Sequence, residues 1–185
     1  MSKIKILGFS GSLRKGSYNS ALLRLASQLV PETATMEIFD ISQIPLYNED
    51  VRLLGAPESV RDFKARIAQA DALLIATPEY NYSIPGVLKN AIDWASRPPE
   101  ESPLNDKPVA FMGAGGGLGT ARAQYHLRQV AVFTNMHPLN RPEVFVHNAR
   151  EKFDAQGEVL DPQIKEKVKQ LLIALVDWTN RIKSK

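Results

Sequence analysis

Short apolar runs alternate along this chain with longer stretches in which apolar residues return every three or four positions. The runs read as strands and the stretches as helices. A first strand is predicted over Lys3–Phe9, carried by Ile4, Ile6 and Leu7. A helix follows from about Asn19 to Val30, with Leu22, Leu25, Ala26 and Leu29 on one face. The second strand is Met36–Ile41, and a long loop, Ser42–Gly55, separates it from a helix that opens with Pro57 and Glu58. Val60, Phe63, Ile67 and Ala70 form that helix's buried stripe. Ala72–Ala76 is the most apolar short run, as expected of a strand covered on both faces.

A third helix is predicted from Val87 to near Arg97, ahead of Pro98 and Pro99. A strand at Pro108–Met112, a helix at Thr120–Phe133 and a strand at Glu143–His147 follow. The last helix starts at Asp161 and Pro162, a capping residue before a first-position proline. Its stripe is Ile164, Val168, Leu171, Leu175, Trp178 and Ile182. Regular alternation of strand and helix argues for an α/β protein of three layers, with a five-stranded parallel sheet and helices on both faces. The doubly wound order 2-1-3-4-5 suits five strands, and residues 1–185 read as one domain.

In that order the loops leaving strands one, three and four converge on one crevice at the carboxyl edge of the sheet. The first loop, Ser10–Asn19, precedes a helix N-terminus, where amides and the helix dipole favour an anion. Ser10, Ser12, Ser17 and Asn19 add polar groups and Arg14 adds a positive fork, so a phosphate group is the natural ligand. Gly11 and Gly16 nearly match a P-loop, but Ser17 and Tyr18 stand where its Lys and Ser/Thr belong, which disfavours nucleoside triphosphate hydrolysis.

The second loop is Thr77–Gly86. Pro78 and Pro85 stiffen it, and it presents Glu79, Tyr80, Asn81, Tyr82 and Ser83. For Glu79 an orienting or capping role is favoured over acid–base work. The third loop, Gly113–Gly119, is near GxGxxG but has Leu118 in the final glycine's place. Gly113, Gly115 and Gly116 would let a flat ligand lie against bare backbone.

Composition removes several classes of function. With 185 residues, 44% hydrophobic and 23% charged, the chain can build a substantial core. It has no cysteine, which excludes disulfides, thiolate nucleophiles and cysteine-bound metal. His126, His137 and His147 show no metal-ligand spacing, and His126 is expected at a surface or interface. The charge of +3 is scattered, and Lys165, Lys167 and Lys169 share their helix with acids, so nucleic acid is not an expected partner. Lys3–Gly8 is too short for a signal sequence, and no apolar run reaches membrane-spanning length; the expected location is the cytoplasm.

Two segments carry a family resemblance. Gly11–Asn19 and Pro78–Trp94 closely resemble the NADPH-dependent FMN reductases, nearest to bacterial quinone and chromate reductases, and the likeness extends through Pro45–Tyr47 and Gln124–Gln129. That resemblance implies a flavodoxin-like fold, FMN bound by Ser10–Asn19, Pro78–Ser83 and Gly113–Gly117, and NADPH or NADH as co-substrate. Quinones, free flavin, azo dyes or metal oxyanions would be the acceptors, with no catalytic side chain because the flavin performs the chemistry. Homodimers or homotetramers are implied as well. From the residues alone, wide apolar arcs on the third helix (Val87, Leu88, Ala91, Ile92, Trp94, Ala95) and the fourth (Tyr125, Leu127, Val130, Val132, Phe133) suggest a subunit interface, with Pro45–Asp50 reaching a neighbour's site. A flavodoxin-type electron carrier and a simple anion-binding module are the alternatives.

Overall fold

The computed structural model describes residues 2–184. Its sheet runs through β1 (Ile4–Ser10), β2 (Ala34–Phe39), β3 (Ala72–Ala76), β4 (Pro108–Ala114), β5 (His137–Pro138) and β6 (Val144–Val146). All pairings are parallel, in the order β2-β1-β3-β4-β5, and β6 also pairs with β4. The edge beyond β4 is therefore split. Pro108 and Val109 face His137 and Pro138, whereas Met112–Ala114 face Val144–Val146. The expected strand at Glu143–His147 supplies only the upper part of this edge.

Successive side chains of a strand face opposite ways, and this sorts the core into two layers. Ile4, Ile6, Ala72, Leu74, Ala110 and Met112 pack under α1 (Tyr18–Gln28) and the last helix. Leu7, Phe9, Leu73, Ile75, Val109 and Phe111 pack under the helices of the other face. Every residue of β3 and β4 is buried, which explains their uniformly apolar sequences.

The long connection after β2 contains α2 (Glu49–Leu54), which the periodicity did not reveal because none of its residues is buried. Helices α3 (Glu58–Gln69), α4 (Gly86–Ala95), α5 (Ala121–Phe133) and α6 (Pro162–Lys183) complete the chain. Asp161 caps α6 by accepting from Gln163 N, with Pro162 in the first turn.

The apolar arc of α4 is explained inside the subunit. Leu88, Ala91, Ile92, Trp94 and Ala95 are all buried within it. Part of the cover is the segment expected to reach a neighbour. Trp94 Nε1 and Asn90 Nδ2 both donate to Pro45 O at 2.8 Å, Tyr47 N donates to Asn90 Oδ1 at 2.7 Å, and the Tyr47 ring meets Trp94 edge-on. On α5, Leu127 is buried, but Tyr125, Val132 and Phe133 remain 63%, 83% and 68% exposed.

Candidate functional site

Register brings the three loops to one edge: Ser10 pairs with Ala76, and Ala76 with Met112. Gly11 N donates to Ala76 O at 2.9 Å and Thr77 N to Met112 O at 3.0 Å, so each loop leaves its strand tied to the next.

The first loop is built on serines. Ser10 Oγ accepts from Ser12 N, Ser12 Oγ from Arg14 N, and Ser17 Oγ from Ser20 N as the N-cap of α1. The amides of Leu13, Lys15, Gly16, Tyr18 and Asn19 have no protein acceptor among the described residues. The Arg14 guanidinium belongs to the same loop and lies over the Tyr18 ring, 5.6 Å from its centroid. Asn19 is 3% exposed and its amide is committed elsewhere: Nδ2 donates to Ala114 O at 3.0 Å, and Oδ1 accepts from Ala114 N at 2.9 Å. It clamps the start of α1 to the end of β4, and so sets the first loop relative to the third.

Between the bracketing prolines, the tip of the second loop is a tight turn. Tyr80 and Ser83 exchange backbone hydrogen bonds of 3.0 and 2.9 Å around Asn81 and Tyr82, whose φ angles are 50° and 68°. Two positive φ angles mark a type I′ turn. A bulky tyrosine there is strained by roughly 1–3 kcal/mol, and such a residue persists only where its surroundings over-determine it. Three attachments to α5 do so. The Glu79 carboxylate, 8% exposed, accepts from Arg122 N at 3.0 Å and Ala123 N at 3.2 Å, capping α5, and pairs with the Arg122 guanidinium. That guanidinium lies 3.5 Å from the Tyr82 ring centroid. Ser83 Oγ and His126 Nδ1 are 2.9 Å apart. The capping reading of Glu79 holds, and His126, expected at a surface or interface, is half-buried and bonded to the loop. Pro78 is buried at the root of the loop; Tyr80 and Tyr82 are exposed at its tip.

The third loop begins later than expected, because β4 continues through Gly113 and Ala114. Gly113 is buried within the strand. A Cβ there would meet Thr120 Oγ1 at 1.9 Å and Thr77 O at 2.4 Å, so its glycine is demanded by packing. Gly116 and Gly117 are open, with nothing within 4 Å of a built Cβ. The segment after β6 fixes this loop from outside: Gly115 N donates to Val146 O, Asn148 N to Gly116 O, and Ala149 N to Gly115 O. His147 Nδ1–H donates to Gly117 O at 2.9 Å. Arg122, His126 and His147–Ala149 are site-shaping residues that no local motif signalled, since each acts on a loop 30 or more positions away.

A serine-and-amide nest, a rigid aromatic turn and a bare glycine loop thus share one edge. A model of the NADPH-dependent FMN reductase family matches residues 4–151. The chain belongs to this family. An NAD(P)H-dependent FMN reductase of Pseudomonas aeruginosa is 60% identical over 181 residues, 97% of each chain. A quinone reductase of Escherichia coli is 42% identical over 187 residues, 98% of each. Among solved structures, FerB, a flavoenzyme NAD(P)H:(acceptor) oxidoreductase from Paracoccus denitrificans, superposes with a TM-score of 0.87 at 35% identity, covering 96% of this chain and 98% of its own. The residues present fit the FMN of an FMN reductase. The first loop offers hydroxyls, amides and a guanidinium to a phosphomonoester, and Gly116 and Gly117 leave backbone open where a flat ring needs it.

Proposed function

We propose that FMN lies with its phosphate in Ser10–Asn19 and its ring between Pro78–Ser83 and Gly115–Gly117, within a single domain spanning the chain. The activity is that of an FMN-dependent NAD(P)H oxidoreductase, with quinones among its acceptors. The chemistry that FMN supplies when bound is two-electron transfer from the nicotinamide to an oxidant. The protein's part is placement. Ser12, Ser17, the loop amides and Arg14 hold the phosphate; the turn presents the amides of Asn81 and Tyr82 to the ring edge, where fixed N–H dipoles favour charge that develops on reduction. Arg122, Glu79 and His126 keep that turn in its strained shape, so no reorganisation is needed during turnover.

The observation that carries this reading is the set of first-loop amides left without protein acceptors, in a loop that holds Arg14 and is clamped to β4 through Asn19. Titrating flavin-free protein with FMN tests it. Arg14→Ala removes a charge-assisted bond and raises the FMN Kd by roughly 10–100-fold. An unchanged Kd in both Arg14→Ala and Ser17→Ala refutes the placement.

We also propose a homodimer or homotetramer, supported by the exposed Tyr125, Val132 and Phe133 of α5 and by Leu46, Leu53 and Leu54 around α2. Light scattering on the eluting protein decides it: a monomer mass with full activity removes the proposal. Free flavin, azo compounds and chromate are further proposed acceptors, to be ranked in one steady-state panel.

A further inference from the structure

A cavity of about 370 Å³ opens beside the glycine loop, floored by Gly115 and Gly116 and walled by Tyr18, Asn148, Arg150 and Glu151. That volume falls in the range of small-ligand sites. Its walls are firmly placed. The Tyr18 ring is backed by Phe153, with centroids 4.8 Å apart. Asn148 stands in the left-handed region at φ 48°, and the amides of Asn148 and Ala149 are bonded to the carbonyls of Gly116 and Gly115. Arg150 is exposed on this rim and has no carboxylate partner among the described residues. The cavity therefore combines a flat aromatic wall, an amide side chain, one carboxylate and one unpaired guanidinium.

We infer that this cavity takes the adenosine end of the nicotinamide co-substrate, with Arg150 reading the 2′-phosphate that distinguishes NADPH from NADH. The inference rests on the functional reading above and deepens it. Gly115 and Gly116 floor the cavity and also border the ring position proposed for FMN, so the two positions adjoin. Tyr18, which lines the cavity, offers apolar ring surface to the purine, Glu151 an acceptor to a ribose hydroxyl, and Arg150 a planar fork that matches a phosphate dianion bidentately. NADH carries a neutral hydroxyl at that point and leaves the fork unused. Glu151 lowers the positive charge of the rim, so the discrimination falls to Arg150 itself.

Two readouts on the FMN-loaded protein test this. Calorimetric titration with adenosine 2′,5′-bisphosphate and with 5′-AMP reads the site directly. Steady-state kcat/KM for NADPH and for NADH, with one quinone as acceptor, reads its consequence. Arg150→Ala weakens the bisphosphate relative to 5′-AMP by about tenfold to a hundredfold and lowers the NADPH:NADH ratio by the same factor, through KM, while Arg150→Lys falls between. Ratios within about twofold of the parent protein in both assays overturn the inference. So does a matching loss of FMN affinity, which would make the cavity part of the flavin's own site. Parent protein that oxidises neither nicotinamide refutes the functional reading instead, and the titration still decides whether Arg150 holds a phosphate.

Discussion

Replacing Glu79 with alanine tests how the Thr77–Gly86 loop is held. The Glu79 side chain is 8% exposed and accepts two α5 amides at 3.0 and 3.2 Å. Hydrogen bonds from amides to a charged acceptor contribute about 1.5–3 kcal/mol each, and loss of a helix cap costs about 0.5–2 kcal/mol. The two bonds share one carboxylate oxygen, and water reaches α5's first turn after truncation, so the total is set near the middle, about 3 kcal/mol. The Arg122 guanidinium stays solvated when its partner is lost and adds little. In a chain of this size the melting temperature then falls by about 6–12 °C. The turn at Asn81 and Tyr82 loses its main anchor at the same time, and its strain opposes the FMN-ready shape; the FMN Kd rises about tenfold. Glu79→Gln keeps an acceptor without the charge and falls between. Calorimetry of the flavin-free protein and fluorescence titration with FMN are the assays. An alanine variant that melts within about 2 °C of the parent and binds FMN with the same Kd refutes the argument that α5 holds the loop.

Three further outcomes follow from the geometry. Gly113→Ala destabilises by more than about 3 kcal/mol, because its Cβ would collide with Thr120 and the Thr77 carbonyl, whereas Gly116→Ala melts normally and weakens only FMN binding. Asn19→Ala costs about 2–4 kcal/mol, since both peptide groups of Ala114 lose a buried partner; an unaltered melting temperature would contradict the clamp. Burial works to raise the Asp71 pKa, but the Lys183 ammonium and the Lys5 amide outweigh it and hold the carboxyl below its usual value of 3.8. A depressed folded-state pKa stabilises above the unfolded value and is lost as pH falls through the folded one, so Asp71→Asn flattens the decline in melting temperature below about pH 4.

Features set by local pattern were legible in the sequence; features set by distant partners were not. Strand Ala72–Ala76, the stripe of α3 and the Asp161–Pro162 start of α6 each follow from residues a few positions apart, their alternation implies a parallel sheet, and 2-1-3-4-5 is the order that five such strands suit. Helix α2 escaped because it buries nothing and so shows no period. β5 escaped because two paired residues carry no pattern. The α4 arc suggested a neighbouring subunit because the Pro45–Tyr47 cover lies more than 40 positions away in the chain. At the site, the serine-rich first loop ahead of a helix and the capping role of Glu79 were readable from residue types. The type I′ turn had a local signal, Asn81 between two tyrosines, but the prolines drew the explanation instead. Gly113 looked like the start of a loop, since a glycine required by packing and one required by a ligand are the same letter.

The decisive measurement mixes FMN-loaded protein with NADPH without oxygen and follows the flavin absorption band. The band bleaches with one equivalent of NADPH per bound FMN, and adding a quinone restores it over repeated cycles. A protein that binds FMN but keeps its band in excess NADPH would be a carrier and not a reductase, and a protein that binds no FMN would contradict the account altogether.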